Sequence, residues 1–364
     1  MGQNPTSGLL SLTRRKEIYA LCQKYDILII EDDPYWYLQY PSANALSVKA
    51  RGKPVSVNYP ISPQSLNYNA DKPRATSGYP FLDSLVPSYL HVDTDGRVIR
   101  LDTFSKTVAP GCRLGWITAQ PVFIEKILRI TETSTQQPSG FVQSMIAELI
   151  MGPQTPSDGG RGGSKDGSGW DVDGWVRWLE GLRGNYERRM QKMSSILEDG
   201  KYIIRSSTRR RSNHASSFES DDDEFQMVSK TQMYDFAYPM AGMFLWMHIR
   251  FETHPLFNKV DHQRLAKALW VYLTTKPYRV LVAPGTIFSP TEQLKEEKGW
   301  QYFRVCFAAV DDDMLDKHSI GIVDGFKGFW TKKRESDIDR ILNDEDVTVR
   351  EAIKNGVGQF WGPC

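Results

Sequence analysis

Lys106 stands in the run Leu101-Asp102-Thr103-Phe104-Ser105-Lys106-Thr107, among the hydroxyls of Thr103, Ser105 and Thr107. Arg113 follows seven residues later, between Gly111 and Gly115. An amine with hydroxyl donors and a guanidinium close by suits an anion fixed beside a nucleophile. A Schiff-base lysine needs that arrangement, because a phosphate-bearing carbonyl compound has to be held while the amine attacks it. An exposed loop lysine with a structural arginine fits the same residues, and this segment alone leaves both readings open. Three other stretches carry chemistry-bearing side chains at loop or strand-end positions. Glu31-Asp32-Asp33-Pro34-Tyr35 follows the apolar run Ile27-Leu28-Ile29-Ile30. Acids at the carboxyl end of a buried parallel strand sit where open α/β sheets bind ligands, although a solvated loop capping the strand would look alike. Asn4-Pro5-Thr6-Ser7-Gly8 is turn chemistry, and Arg304 lies within Tyr302-Phe303-Arg304-Val305-Cys306-Phe307, which reads as a strand.

The elements that must position these residues follow from periodicity. From Thr13, apolar residues Ile18, Leu21, Cys22 and Tyr25 recur at helical spacing, and Ile27 to Ile30 predicts a strand buried on both faces. Gly96 to Leu101 and Leu114 to Ala119 predict strands on either side of the lysine loop. Residues 41–90 have no clear period and predict a long irregular excursion. Pro121 opens a helix at its first position, and Phe141 to Met151 predicts a second, mostly buried one. Trp170 to Leu197 predicts a long amphipathic helix whose aromatic stripe belongs to a core. Gly242 to Ile249 and Arg279 to Ala283 predict further strands, with a helix over Gln263 to Thr274 between them and another over Asp311 to Phe329. The glycine-rich Gly159 to Lys165 has the order G-S-K, with no strand before it, and is set aside as a phosphate loop.

Composition narrows the classes. With 45 Lys+Arg against 44 Asp+Glu the net charge is +1, which implies no polyanionic partner and no nucleic acid. No apolar run reaches the roughly 18 residues of a membrane span. Cys22, Cys112, Cys306 and Cys364 are scattered without metal spacing, so no metal site is expected and a reducing compartment is: the cytoplasm first, the mitochondrion as the alternative. Cys112 beside Arg113 reads as a small packing residue.

Taken in order, N-P-T (Asn4 to Thr6), E-D-D-P-Y (Glu31 to Tyr35), F-S-K with G-x-R-x-G (Phe104 to Lys106, Gly111 to Gly115) and F-R-x-x-F (Phe303 to Phe307) resemble a fold-type I pyridoxal-phosphate aminotransferase. The resemblance runs from Gly2 to about Ala309. Ala241 to Trp246 and Pro284 to Phe288 make it most similar to the fungal aromatic, 2-aminoadipate and kynurenine aminotransferases. It implies an α/β chain with part of a large, mostly parallel-sheet domain and a smaller α+β C-terminal domain. It further implies pyridoxal 5'-phosphate as cofactor, amino acid and 2-oxo acid substrates, and aromatic or 2-aminoadipate-like donors. By the same resemblance Lys106 bonds the cofactor and shuttles the proton, and Asp32 keeps the pyridine nitrogen protonated. Tyr35 and Asn4 hydrogen-bond the ring oxygen, Asn4 also facing substrate. Arg113, Thr103 and Ser105 bind the phosphate, Arg304 forks the substrate carboxylate, and Asp33 is structural.

The expected organisation is the remainder of the cofactor domain over 1–152, a glycine-rich linker at 153–169 and an interdomain helix at 170–200. A small domain follows over 201–331, with a disordered insertion at about 205–230, and then a loosely held charged tail at 332–364. Two departures from the family pattern stand out. Ser7 replaces the usual glycine of N-P-T-G, where a positive φ would strain a serine. The family segment that precedes N-P-T is not in the sequence, so a homodimer is expected only with that segment present, and weak cofactor binding or poor solubility without it. An inactive, incomplete paralogue and a lyase or decarboxylase of the same fold are the rival expectations.

Overall fold

Ser11 starts the first helix: its hydroxyl accepts the Arg14 backbone N–H, and α1 runs over Leu12–Lys24. This computed structural model describes residues 2–52, 77–151, 171–208 and 226–343, which divide into two units. The glycine-rich linker lies outside the described residues, as do the middle of the irregular excursion, the charged middle of the insertion and the end of the tail.

In the first unit (residues 1–190 and 238–244), α1 buries Arg15, Tyr19 and Cys22, while Leu21 and Tyr25 are exposed. The buried stripe is therefore partly polar, which the apolar spacing did not predict. β1 (Ile29–Asp32) pairs in parallel with β2 (Val98–Thr103), which pairs antiparallel with β3 (Gly115–Thr118). The expected strand at Ile27 to Ile30 is displaced toward its acidic end, and it is not buried on both faces. Among the described residues β1 has one neighbour, and Ile27, Leu28 and Ile30 are 50%, 50% and 68% exposed. Helices interrupt the predicted irregular stretch: α2 (Ser42–Ala50) and α3 (Pro80–Asp83). After β3 come α4 (Pro121–Thr133) and α5 (Gly140–Met151). α4 buries nothing, and α5 buries only Ile146 where a mostly buried helix was expected. The long α6 (Asp173–Gly200) then packs Val176 and Leu179 against Phe81 and Leu85.

The second unit (191–237 and 245–364) opens on a two-stranded ribbon, β4 (Tyr202–Thr208) and β5 (Gln226–Gln232), paired from Tyr202↔Gln232 to Thr208↔Gln226. Both ends of the expected disordered insertion are thus regular strands, since backbone pairing needs no apolar side chains. β6 (Tyr234–Phe236), β7 (Phe244–Ile249), α7 (His262–Thr274), β8 (Ala283–Pro284), α8 (Glu292–Glu297), β9 (Tyr302–Cys306) and α9 (Asp312–Phe329) complete it, with sheet order β6-β7-β9-β8. The core lies where α7 and α9 bury Leu265, Leu269, Leu273, Ile322, Phe326 and Phe329. A Cβ on Gly325 would meet Leu273 Cδ2 at 2.5 Å, so a larger residue at this helix crossing would make the leucine side chain shift. The predicted strand over Arg279 to Ala283 is reduced to two residues. Arg279 turns left-handed at φ 51, and the Val280 N–H donates to the Leu273 carbonyl instead of entering a ladder. The tail is not loose at its start: residues 335–343 are helical and bury Ile338 and Ile341.

Candidate active site

The parallel pairing of β1 with β2 aligns Asp32 with Leu101 and Glu31 with Arg100. Side chains alternate along a strand, so Asp32 and Glu31 point to opposite faces. On the Asp32 side, a cleft of about 430 Å³ is lined by Asp32, Thr103, Ser105, Lys106 and Arg113. Its floor is a tight turn. The Thr107 and Val108 N–H groups both donate to the Phe104 carbonyl, at 3.2 and 2.8 Å, and the Phe104 N–H donates to the Leu114 carbonyl at 3.0 Å. Phe104 is buried with its ring 4.8 Å from Trp116 and 6.2 Å from Trp175, which anchors the turn from below. The Trp178 indole on α6 donates to the Thr107 carbonyl at 2.7 Å. Thr103 Oγ1 lies 3.1 Å from Ser105 Oγ and accepts the Ser105 N–H at 3.1 Å, so the two hydroxyls form one pair. Arg113 is left-handed (φ 48), and a Cβ on Gly115 would come within 2.5 Å of the Asp102 carbonyl. Glycine at 115 therefore lets β3 return close enough to keep Arg113 at the cleft.

Asp32 also lines a second, larger cleft of about 820 Å³, with Asn4, Pro34 and Tyr35. Tyr35 is buried, edge-on to Phe244 at 5.9 Å, and Lys106 Nζ lies 6.0 Å from its ring centre. Ser7 adopts φ 54, the strained conformation expected where the family pattern has glycine. Its buried hydroxyl donates to the Phe244 carbonyl at 2.5 Å, an anchor that offsets the strain and that glycine could not make. Arg304 belongs to the second unit, on β9. Its guanidinium sits 4.5 Å over the Phe288 ring, Trp246 stands edge-on to Phe288, and Trp246 stacks on Tyr302 at 5.1 Å. Of the eight predicted site residues, seven thus line two clefts that share Asp32, and Arg304 stands on an aromatic-flanked sheet face of its own unit.

Sequence reasoning missed what lies behind Asp32. On the opposite strand face, Arg15 Nη1 contacts Glu31 Oε1 at 2.5 Å, and Glu31 also accepts the Tyr89 N–H at 3.0 Å. Arg100 forks Asp102 through Nε and Nη2, both at 2.8 Å, while its Nη1 lies 3.8 Å from Asp33 and 4.0 Å from Glu31. Trp36 closes one side, 4.9 Å from the Arg100 guanidinium. Burial pushes the Glu31 and Asp33 carboxyls up, and the Asp33 charge adds to the rise at Glu31; the two arginines pull against it, joined at Asp33 by the chain's amino terminus, which pulls harder there. The signal was present in the alternation: Glu31 and Asp33 on one strand, Arg100 and Asp102 on its neighbour, each pair two residues apart.

No protein-family model matches the chain. It is 36% identical over 256 residues to an L-tyrosine:2-oxoglutarate aminotransferase of Tapinella panuoides, covering 70% of this chain and 36% of that protein. An aromatic amino acid aminotransferase of Schizosaccharomyces pombe is 35% identical over 248 residues, covering 68% of this chain and 38% of the relative. Among solved structures, an aromatic aminotransferase from C. albicans matches with TM-score 0.62 and 27% identity, over 91% of this chain and 55% of that one. The chain therefore spans little more than a third of the length of the two relatives and just over half of that solved structure's chain.

Proposed function

The chain belongs to the aminotransferases of fold type I, beside the fungal aromatic amino acid enzymes, and from that premise we propose that it carries the catalytic part of a pyridoxal-phosphate-dependent transaminase. The donors we infer are aromatic amino acids, and the acceptors 2-oxo acids. The observation that carries the reading is the cleft itself, where an amine, a carboxylate, a guanidinium and two paired hydroxyls converge at the ends of two parallel strands. That donor set fits the cofactor's chemistry: one group to bond an aldehyde, one to face a protonated ring nitrogen, three to hold a phosphate. When bound, pyridoxal phosphate supplies an electron-accepting ring that stabilises negative charge at the substrate Cα.

In this reading Lys106 Nζ anchors the cofactor and afterwards takes and returns the substrate proton. Asp32, at the mouth of both clefts, holds the proton on the ring nitrogen. Thr103, Ser105 and Arg113 bind the phosphate, the guanidinium forking two oxygens as a lysine would not. Tyr35 and Asn4 donate to the ring oxygen, and Asn4 faces substrate as well. Arg304 takes the substrate carboxylate, its guanidinium held flat by Phe288. Working as a homodimer is part of the proposal. So is a cytoplasmic setting, in keeping with Cys22 and Cys112 as free thiols.

The test is the purified chain with pyridoxal phosphate, L-tyrosine and 2-oxoglutarate. A visible absorbance band on cofactor addition and the appearance of glutamate are expected. Cofactor uptake without amino-group transfer from tyrosine, phenylalanine or tryptophan would remove the aromatic assignment.

A further inference from the structure

The buried charge network lies directly behind the strand end that carries Asp32. Glu31 and Asp33 flank Asp32 on β1 and just beyond it, and Asp102 immediately precedes Thr103 on β2. All three carboxylates share the strand face opposite the Asp32 side chain and are buried, Asp102 with a side chain only 6% exposed. The guanidiniums among them are those of Arg15, which pairs with Glu31, and Arg100. Arg100 is the one guanidinium that touches carboxylates from both strands: Asp102 on its own, and Glu31 and Asp33 across the pair. The last backbone bond holding the strands together, Asp33 N–H to the Leu101 carbonyl at 3.1 Å, lies under it.

Charges in a buried site are screened less than in water, so unpaired like charges there repel more strongly. Without Arg100, Asp102 on one strand would face Glu31 and Asp33 on the other with no guanidinium between them, and their repulsion would push the carboxyl ends of β1 and β2 apart. Asp32 departs from the end of one strand and the Lys106 turn from the end of the other. Their separation is therefore set by what holds those two ends together.

We propose that Arg100 is a positioning residue, a clamp on the far side of the sheet that fixes the Asp32 carboxylate against the Lys106 turn so that it can reach the cofactor's ring nitrogen. The inference rests on reading the cleft as a pyridoxal phosphate site and adds to it a residue that touches neither cofactor nor substrate. A clamp of this kind has a signature that a general packing role lacks. Its loss should be felt only by a ligand whose ring carries the nitrogen Asp32 must meet. Phosphate and aldehyde are gripped by Arg113, Thr103, Ser105 and Lys106, all of which follow Asp102 in the chain.

The test compares pyridoxal phosphate with its 1-deaza analogue, which keeps aldehyde and phosphate but has carbon in place of the ring nitrogen. Affinities of the full chain for both are measured by absorbance titration. For Arg100→Met, pyridoxal phosphate should bind about 10- to 100-fold more weakly than to the unaltered chain, the range for losing a charge-assisted hydrogen bond, with deaza-analogue binding little changed. Arg100→Lys, which keeps the charge but not the fork, should fall between. Should Arg100→Met not fold, Asp102→Asn loosens the same fork at constant volume, and the same selective loss is expected at smaller size. Equal losses for both ligands, or no loss for either, would overturn the role of Arg100. Failure of the unaltered chain to bind either ligand would instead count against the cofactor site, and this inference would fall with it.

Discussion

Lys106 and Arg304 are expected to fail in different ways. Lys106→Ala removes both the covalent anchor and the proton carrier, so transamination should fall by at least about 10²–10⁴-fold, the scale of losing a general base. Borohydride reduction of the cofactor-loaded chain followed by peptide mapping should place the label on Lys106; a label elsewhere reassigns the site. In the proposed reading Arg304→Ala removes a charge-assisted pair to the substrate carboxylate, about 1.5–3 kcal/mol of binding. Amino acid affinity should drop while the cofactor's absorbance stays as it was, and loss of the cofactor would put Arg304 in the phosphate site. These residues were legible in the sequence because each sits in a short contiguous motif. Arg15, Glu31, Arg100 and Asp102 were not, because their meaning lies in pairing across two strands and a helix. Arg15, 16 residues from its partner in a charged helical run, reads as a solvated face until the fold buries it at 2% exposure.

Many helix and strand identities followed from periodicity, though not α2, α3, β4 and β5 or the lost strand over Arg279 to Ala283, and burial did not follow. β1 was expected to be covered on both faces because its apolar run looks like an interior strand, yet coverage depends on neighbours that a run of side chains does not specify. The residue that ends the short helix Phe251–Thr253, beside the end of α9, shows the opposite case, a polar residue buried for a local reason. His254 is 3% exposed, its Nδ1 accepts the Leu256 N–H at 3.1 Å, and its Nε2 lies 3.2 Å from the Phe329 carbonyl. Nε2 therefore carries the hydrogen and the ring is neutral. Burial pushes the imidazole down to about 4. The unfolded chain takes up this proton below about 6.5 while the folded chain refuses it until about 4. Stability from this residue is thus full above pH 7 and lost as pH falls between those values, by about 3 kcal/mol. His254→Gln should cost stability at pH 7.5 and show a smaller decline toward pH 4.5 in denaturant unfolding. Parallel declines in the two proteins would mean that other groups carry the acid sensitivity.

At the scale of the molecule, the two units differ in how well they cover themselves. The second leaves single residues such as Leu281 and Ile287 exposed, whereas α4 and α5 of the first bury almost nothing and, with β1, leave Ile30, Val122, Leu128, Ile130, Phe141 and Leu149 between 48% and 76% exposed. Exposed apolar surface of this extent in a soluble chain marks an interface or an association liability. Sedimentation of the purified chain should show concentration-dependent self-association, reduced by Ile130→Glu and Phe141→Glu together. A monomer at all concentrations would argue that these side chains are harmless. The first unit has another property, set by how the Lys106 turn is anchored. Trp116 and Trp175 pack on Phe104 beneath that turn, and Trp178 is hydrogen-bonded to the carbonyl of Thr107, the residue after Lys106. Indole emission shifts with local polarity and is quenched by a nearby chromophore. The turn therefore carries its own optical reporter, and occupancy of the cleft can be followed by tryptophan fluorescence with no label attached.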